Sequence, residues 1–162
     1  SIQMPWASDV FSVEKAINNI EKSNTYYVGN FSTDALSKAK NLRSKEFNFY
    51  RVGGVSFEVA RQFVEKSEFT FDIRNQHCID YGFIPCRIFK NYSYGKICFS
   101  NSEHISKCFE IPYYNDSETL LDHIENYRSG HYDDLVNNLQ SIMLDNHTYL
   151  NRVGILRSVV GF

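Results

Sequence analysis

The segment RNQHCIDYGFIPCRIF, residues 74–89, holds His77 beside Cys78 and a second thiol at Cys86, and Cys98, His104 and Cys108 follow. Two chemistries use such residues. Structural zinc takes ligands in close pairs, typically C-x2-4-C, so that one tight turn aims both at the metal. The spacing here is C-x7-C-x11-C-x5-H-x3-C, which contains no such pair. A catalytic thiol needs a base in reach and a lowered pKa, yet neighbours in a strand face opposite sides, so His77 does not serve Cys78 if both end a strand. The expectation is four reduced thiols flanked by core residues, with no metal and no cofactor.

A third chemistry is positional. Where parallel strands end, backbone N–H groups of the following helices point outward and anions bind. Three stretches could form such ends: Gly29-Asn30-Phe31-Ser32, Gly53-Gly54-Val55-Ser56 and Asn75-Gln76-His77. Gly29, Gly53 and Gly54 permit close backbone approach, Asn30, Ser32 and Ser56 add polar groups, and His77 can titrate. A phosphate-bearing ligand fits that edge. Neither G-x-x-x-x-G-K-[ST] nor G-x-G-x-x-G is present, however, and glycine followed by a capping serine also makes any short strand-to-helix turn. The carboxylates add little: Asp72 and Asp80 flank His77, while Asp122, Glu125, Asp133 and Asp134 surround a helix–helix turn with His123 and His131. No Ser-His-Asp order, H-E-x-x-H or G-x-S-x-G occurs.

Aromatic residues are the compositional outlier, with 13 Phe, 11 Tyr and one Trp making 15% of the chain. Exposed tyrosines suit a binding surface, because the ring gives contact area and the hydroxyl still reaches water. Tyr92 and Tyr94, read as part of a hairpin turn, and the polar-flanked pair Tyr113 and Tyr114 are the candidates for such a surface.

The elements that must position these residues follow from spacing. In the first half, a serine able to cap a helix is followed three times by helix-spaced apolar residues and then by a short aromatic run. Val13, Ala16, Ile17 and Ile20 mark the first helical face, and Val59, Ala60, Phe63 and Val64 the third. The strands fall near 25–29, 46–52 and 68–74. Alternating helices and strands with short connections predict a small parallel sheet. From 79 to 114, FIPCRIFK, NYSYG and KICFS read as strand, turn and strand, which predicts an antiparallel section with Pro85 and Pro112 at an edge or bulge. The remainder reads as helices: one capped by Asp116 or Ser117 and ended by Gly130, one with the face Leu135, Leu139, Ile142 and Met143, and one from 149 to 160 containing Gly154.

At 162 residues the chain suits one domain, 1–162, of α+β class: an α/β-like first half with a small parallel sheet, antiparallel strands in the middle and a helical C-terminus. A net charge of −2 gives no call for nucleic acid or an anionic membrane, and the basic residues Lys38, Lys40, Arg43 and Lys45 do not share one helical stripe. No apolar stretch approaches a membrane span, and the location expected is cytoplasmic. Two functions are weighed. The first is a noncatalytic domain that binds another protein, as an inhibitor of immunity or antitoxin type does. The alternative is a small hydrolase or group transferase holding a phosphate-bearing ligand at the carboxyl edge of the parallel sheet.

Overall fold

The computed structural model describes residues 20–29, 37–38 and 46–161. Among them are four strands, β1 (Asn24–Val28), β2 (Asn48–Val52), β3 (Thr70–Asp72) and β4 (Cys98–Ser100). Seven helices accompany them: α1 (Phe57–Lys66), α2 (Gln76–Asp80), α3 (Cys86–Ser93), α4 (Glu103–Phe109), α5 (Ser117–Arg128), α6 (Asp133–Asn146) and α7 (Tyr149–Val160). The class is mixed α+β, as the sequence pattern indicates. The two helices expected before β1 and between β1 and β2 lie almost wholly outside the described residues, as do Lys40, Arg43 and Lys45.

Both strand pairs are parallel. Tyr26 pairs with Tyr50 across β1 and β2, and their rings stack with centroids 5.2 Å apart. Phe71 pairs with Phe99 across β3 and β4. No continuous backbone ladder joins β1 to β3; separate bonds between the residues there do. The Glu68 amide donates to the Asn24 carbonyl at 2.9 Å, Thr25 Oγ1 donates to the Phe69 carbonyl at 2.7 Å, and the Tyr26 amide donates to Ser67 Oγ at 3.0 Å. The spatial order is therefore β2-β1-β3-β4. Beyond β4, Ser100 pairs in parallel with Tyr113.

The middle of the chain departs from the sequence expectation. Residues 86–93, read as the end of a strand and the start of a turn, form α3, and the predicted antiparallel hairpin is replaced by a helical crossover into the parallel strand β4. The physical reason is visible in the buried side chains. Ile88, Phe89, Tyr92 and Ser93 fall at i, i+1, i+4 and i+5 and turn one helical face inward. Pro85 is not at a sheet edge but is the N-cap of α3, where its missing N–H costs no helical bond. Pro112 leaves its carbonyl to accept from the Ser100 amide at 3.1 Å.

Elsewhere the local signals act as expected. Ser56 caps α1 through the Val59 amide, Asp116 caps α5 through the Thr119 amide, and Asp133 and Asp134 open α6. Gly130 follows α5 at φ +83°, a conformation that favours glycine. The core explains the aromatic excess. Phe47, Phe69, Phe71, Phe99, Tyr27 and Tyr114 are buried together with Leu120 and Ile124. Phe47 meets Phe69 edge-on at 5.4 Å and Phe69 meets Phe71 edge-on at 5.5 Å, arrangements that add about 0.5–1.5 kcal/mol per pair beyond area burial. A second cluster packs α3 against α6 through Ile88, Phe89, Tyr92, Leu139 and Met143.

Candidate functional site

Strand order reverses between β1 and β3, since β2 lies to one side of β1 while β3 and β4 lie to the other. A crevice outside the carboxyl ends of parallel strands at such a reversal is where ligands of this architecture bind. The side chains there form a charged knot. Asp72, fully buried at the end of β3, receives Arg87 Nη1 at 3.3 Å, faces Arg74 Nη1 at 3.6 Å and accepts from Ser100 Oγ at 3.3 Å. Burial pushes its carboxyl above the ordinary range, while Arg87 and Arg74 beside it pull the other way. Arg87 Nη2 also donates to the Val28 carbonyl at 3.1 Å, and the guanidinium lies 4.0 Å from the Tyr27 ring centroid.

This knot explains Gly29, which was expected to give a ligand close approach. Its φ is +137°, and a Cβ placed there would lie 2.6 Å from Arg87 Nη2. The glycine makes room for the arginine. At the end of β2, Gly53, Gly54 and Ser56 are exposed; Gly54 has φ +69° and open space around it, and Ser56 is occupied as the cap of α1. Asn30 and Ser32 lie outside the described residues. His77 is exposed in α2, not at a strand end, with its ring 4.6 Å from that of Tyr81. Among the described residues, the structure therefore does not gather these candidates around one cavity.

A cavity does open at the neighbouring carboxyl ends of β3 and β4. It measures about 550 Å³ and is lined by Lys38, Gln76, Ile79, Asn101, Glu103 and the run Tyr113 to Ser117. Gln76, Glu103 and Ser117 are the first residues of α2, α4 and α5, so three strand-to-helix connections converge on it. Asn101 ties the two strand ends together, accepting from the Arg74 amide at 2.7 Å and donating to the Arg74 carbonyl at 3.0 Å. Lys38 Nζ reaches the same carbonyl at 3.3 Å. A hydrogen bond from Lys107 lowers the Glu103 carboxyl, and the Thr119 amide and hydroxyl lower that of Asp116. Both stay ionised acceptors at neutral pH. The wall thus offers one ammonium, two carboxylates, amides and hydroxyls.

Of the four tyrosines expected to form a surface, Tyr113, half-buried, and Tyr114 line this cavity. Tyr114 is buried in the core. Tyr92 is fully buried in α3, where its hydroxyl donates to the Cys98 carbonyl at 3.1 Å and accepts from the Cys98 amide at 3.2 Å. Tyr94 follows α3 as its C-cap and is buried against Val64. The exposure expected of Tyr92 and Tyr94 rested on a hairpin turn, and the helix removes it.

The thiols are spread over α2, α3, β4 and α4. Burial pushes the Cys98 thiol up to about 12, which makes it a poor nucleophile. Among the described residues no group of three or more His, Cys, Asp or Glu side chains is placed to hold a metal ion, and no helix is long and apolar enough to cross a membrane. Sequence reading missed Asn101, Glu103 and Asn115 in the cavity wall. Their signal was a β-prone run followed by a capping serine or aspartate, SNSEH and NDSE, which marks two more strand-to-helix turns once β4 is taken as parallel. No protein family, curated protein or solved structure matches the chain.

Proposed function

We propose that this domain binds a phosphorylated, hydroxyl-bearing small molecule at the carboxyl edge of its parallel strands, as part of a group-transfer or hydrolytic activity. The observation that carries this reading is the 550 Å³ cavity at the ends of β3 and β4, beside the reversal in strand order. Its size falls within the roughly 300–1,000 Å³ of small-molecule sites. Its charges are mixed: Lys38 attracts a phosphate, whereas Glu103 and Asp116, the latter capping α5, repel one and accept from hydroxyl groups. A sugar phosphate or nucleotide satisfies both kinds of group; an inorganic anion satisfies one.

The test is ligand-observed NMR with ADP, GDP, UDP, ribose 5-phosphate and the corresponding unphosphorylated nucleosides. At least one phosphorylated member should bind with Kd below about 1 mM, and Lys38→Met should weaken it at least about fivefold while leaving nucleoside binding unchanged. A panel without a binder, or binding indifferent to Lys38, would remove the proposal.

A protein partner is a second reading, supported by α7. Leu150, Val159 and Val160 are 65%, 58% and 64% exposed, and Tyr149, Val153, Ile155 and Leu156 are exposed beside them. Apolar surface gathered on one helix supports a contact site there. Capture from the native host should recover a stoichiometric protein that the double variant Leu150→Glu, Val160→Glu no longer retains. Equal recovery by both forms would count against it.

A further inference from the structure

His123 has both ring nitrogens engaged. It stands in the second turn of α5, with Nε2 2.8 Å from the Tyr113 carbonyl oxygen and Nδ1 2.7 Å from Tyr132 Oη. Its ring stacks on Phe99 of β4, centroids 6.1 Å apart and planes 13° from parallel. A carbonyl can only accept, so Nε2 carries a hydrogen; in the neutral ring Nδ1 is then an acceptor, and the Tyr132 hydroxyl donates to it. Phe99 fixes the plane, and the two hydrogen bonds fix rotation within it. A side chain held this way is a rigid strut.

What the strut holds is the cavity wall. Tyr113, Tyr114, Asn115 and Asp116 form one side of it. That run is anchored to β4 by the Tyr114 amide, which donates to the Ser100 carbonyl at 3.0 Å, and to α5 by the Asp116 cap. The Tyr113 carbonyl lies next to the first anchor, and His123 reaches it from the body of α5. We propose that His123 is the positioning residue of the cavity: as the Nε2–H tautomer it fixes the Tyr113 carbonyl and so sets where the 113–116 wall stands against a bound ligand. This role rests on the ligand-binding reading above. It makes affinity depend on a residue that does not line the cavity.

Two substitutions separate the ring nitrogens. A glutamine amide reaches the place of Nε2 and can still donate to the Tyr113 carbonyl; an asparagine amide reaches only the place of Nδ1. With the phosphorylated member of the panel above that binds as probe, His123→Gln should bind within about threefold of the unmodified protein and His123→Asn at least about tenfold more weakly, the loss of one oriented hydrogen bond. Tyr132→Phe, which leaves Nε2 untouched, should bind like the glutamine variant. Long-range ¹H–¹⁵N spectra of the unmodified protein should place the hydrogen on Nε2. Exchange of the Tyr114 amide should quicken in His123→Asn and not in His123→Gln. Equal binding by the glutamine and asparagine variants would overturn the proposal, as would a hydrogen found on Nδ1. If no member of the panel binds the unmodified protein, the ligand reading fails by itself; the strut is then judged by the Tyr114 amide, and unchanged exchange in both variants refutes it.

Discussion

Lys96 lies just before β4 with 4% of its surface exposed, and burial lowers its amine from 10.5 to about 8. The folded state therefore disfavours the charged form. Below about pH 8 the amine is protonated in both states and the full cost is present; between about 8 and 10.5 the unfolded chain holds the extra proton, so stability rises with pH. The shift corresponds to at most about 3 kcal/mol. Lys96→Met should accordingly stabilise the protein at pH 7 by about 1–3 kcal/mol, and by less as pH rises from about 8 to about 9.5 in urea denaturation. Taking the difference between the two proteins cancels the opposing fall from the Cys98 thiol, which burial raises from 9.0 to about 12. Tyr92 gives the opposite case. Its hydroxyl is the partner of both backbone groups of Cys98, so Tyr92→Phe should cost about 1–3 kcal/mol in the same titration by leaving a buried amide and carbonyl unpaired. Neither role was legible in the sequence. A lysine between glycine and isoleucine reads as a strand-flanking charge, and a tyrosine in NYSYG reads as a turn, because burial is decided by what packs over these residues from α1, α3 and α6.

At the level of elements, the clearest signals were caps and helical faces. Ser56, Asp116 and the pair Asp133–Asp134 start helices where a side-chain oxygen or the helix dipole requires it, and these rules act within a few residues of sequence. In α6, Leu139 and Met143 are buried against α3, while Leu135 and Ile142 pack at the margin. Its Asn137, Asn138, Asp145 and Asn146 are mediocre helix formers, so packing has to hold it. Leu139→Ala should cost about 2–5 kcal/mol in denaturant unfolding, and a change under about 1 kcal/mol would mean that this face is not packed. The misread element, α3, shows where the local rules stop. CRIFKNYS supports strand alternation and helical spacing alike, and a short apolar run does not tell them apart. What decides is the parallel β4 that follows, which needs a crossover before it, and that requirement comes from the sheet.

For the molecule as a whole, the parallel character of the strands was legible for the first three, where helix and strand alternate, and lost where the intervening helix was misread; their spatial order was not legible. The candidate site suffered in the same way. Two of its walls, the turns after β4 and before α5, exist only if residues 98–100 run parallel to 70–72. The join at the middle of the sheet has a further consequence. A backbone ladder is indifferent to sequence, since every residue but proline carries the same donor and acceptor. Between β1 and β3 the work falls partly to two hydroxyls: Thr25 Oγ1 on the Phe69 carbonyl, and Ser67 Oγ, which accepts from the Tyr26 amide and donates to the Phe63 carbonyl at 2.9 Å. Thr25→Val, which keeps the shape and removes the donor, should lower stability by about 1–3 kcal/mol and speed exchange of the Glu68 amide ahead of the Thr70 amide. Mutational tolerance in this sheet is therefore lopsided. Related chains are free to drift along the strand pairs that are stitched by peptide groups, but at Thr25 and Ser67 they can accept little beyond another small hydroxyl residue, so two inconspicuous positions would carry the heritable instruction that keeps the two halves of the sheet in register.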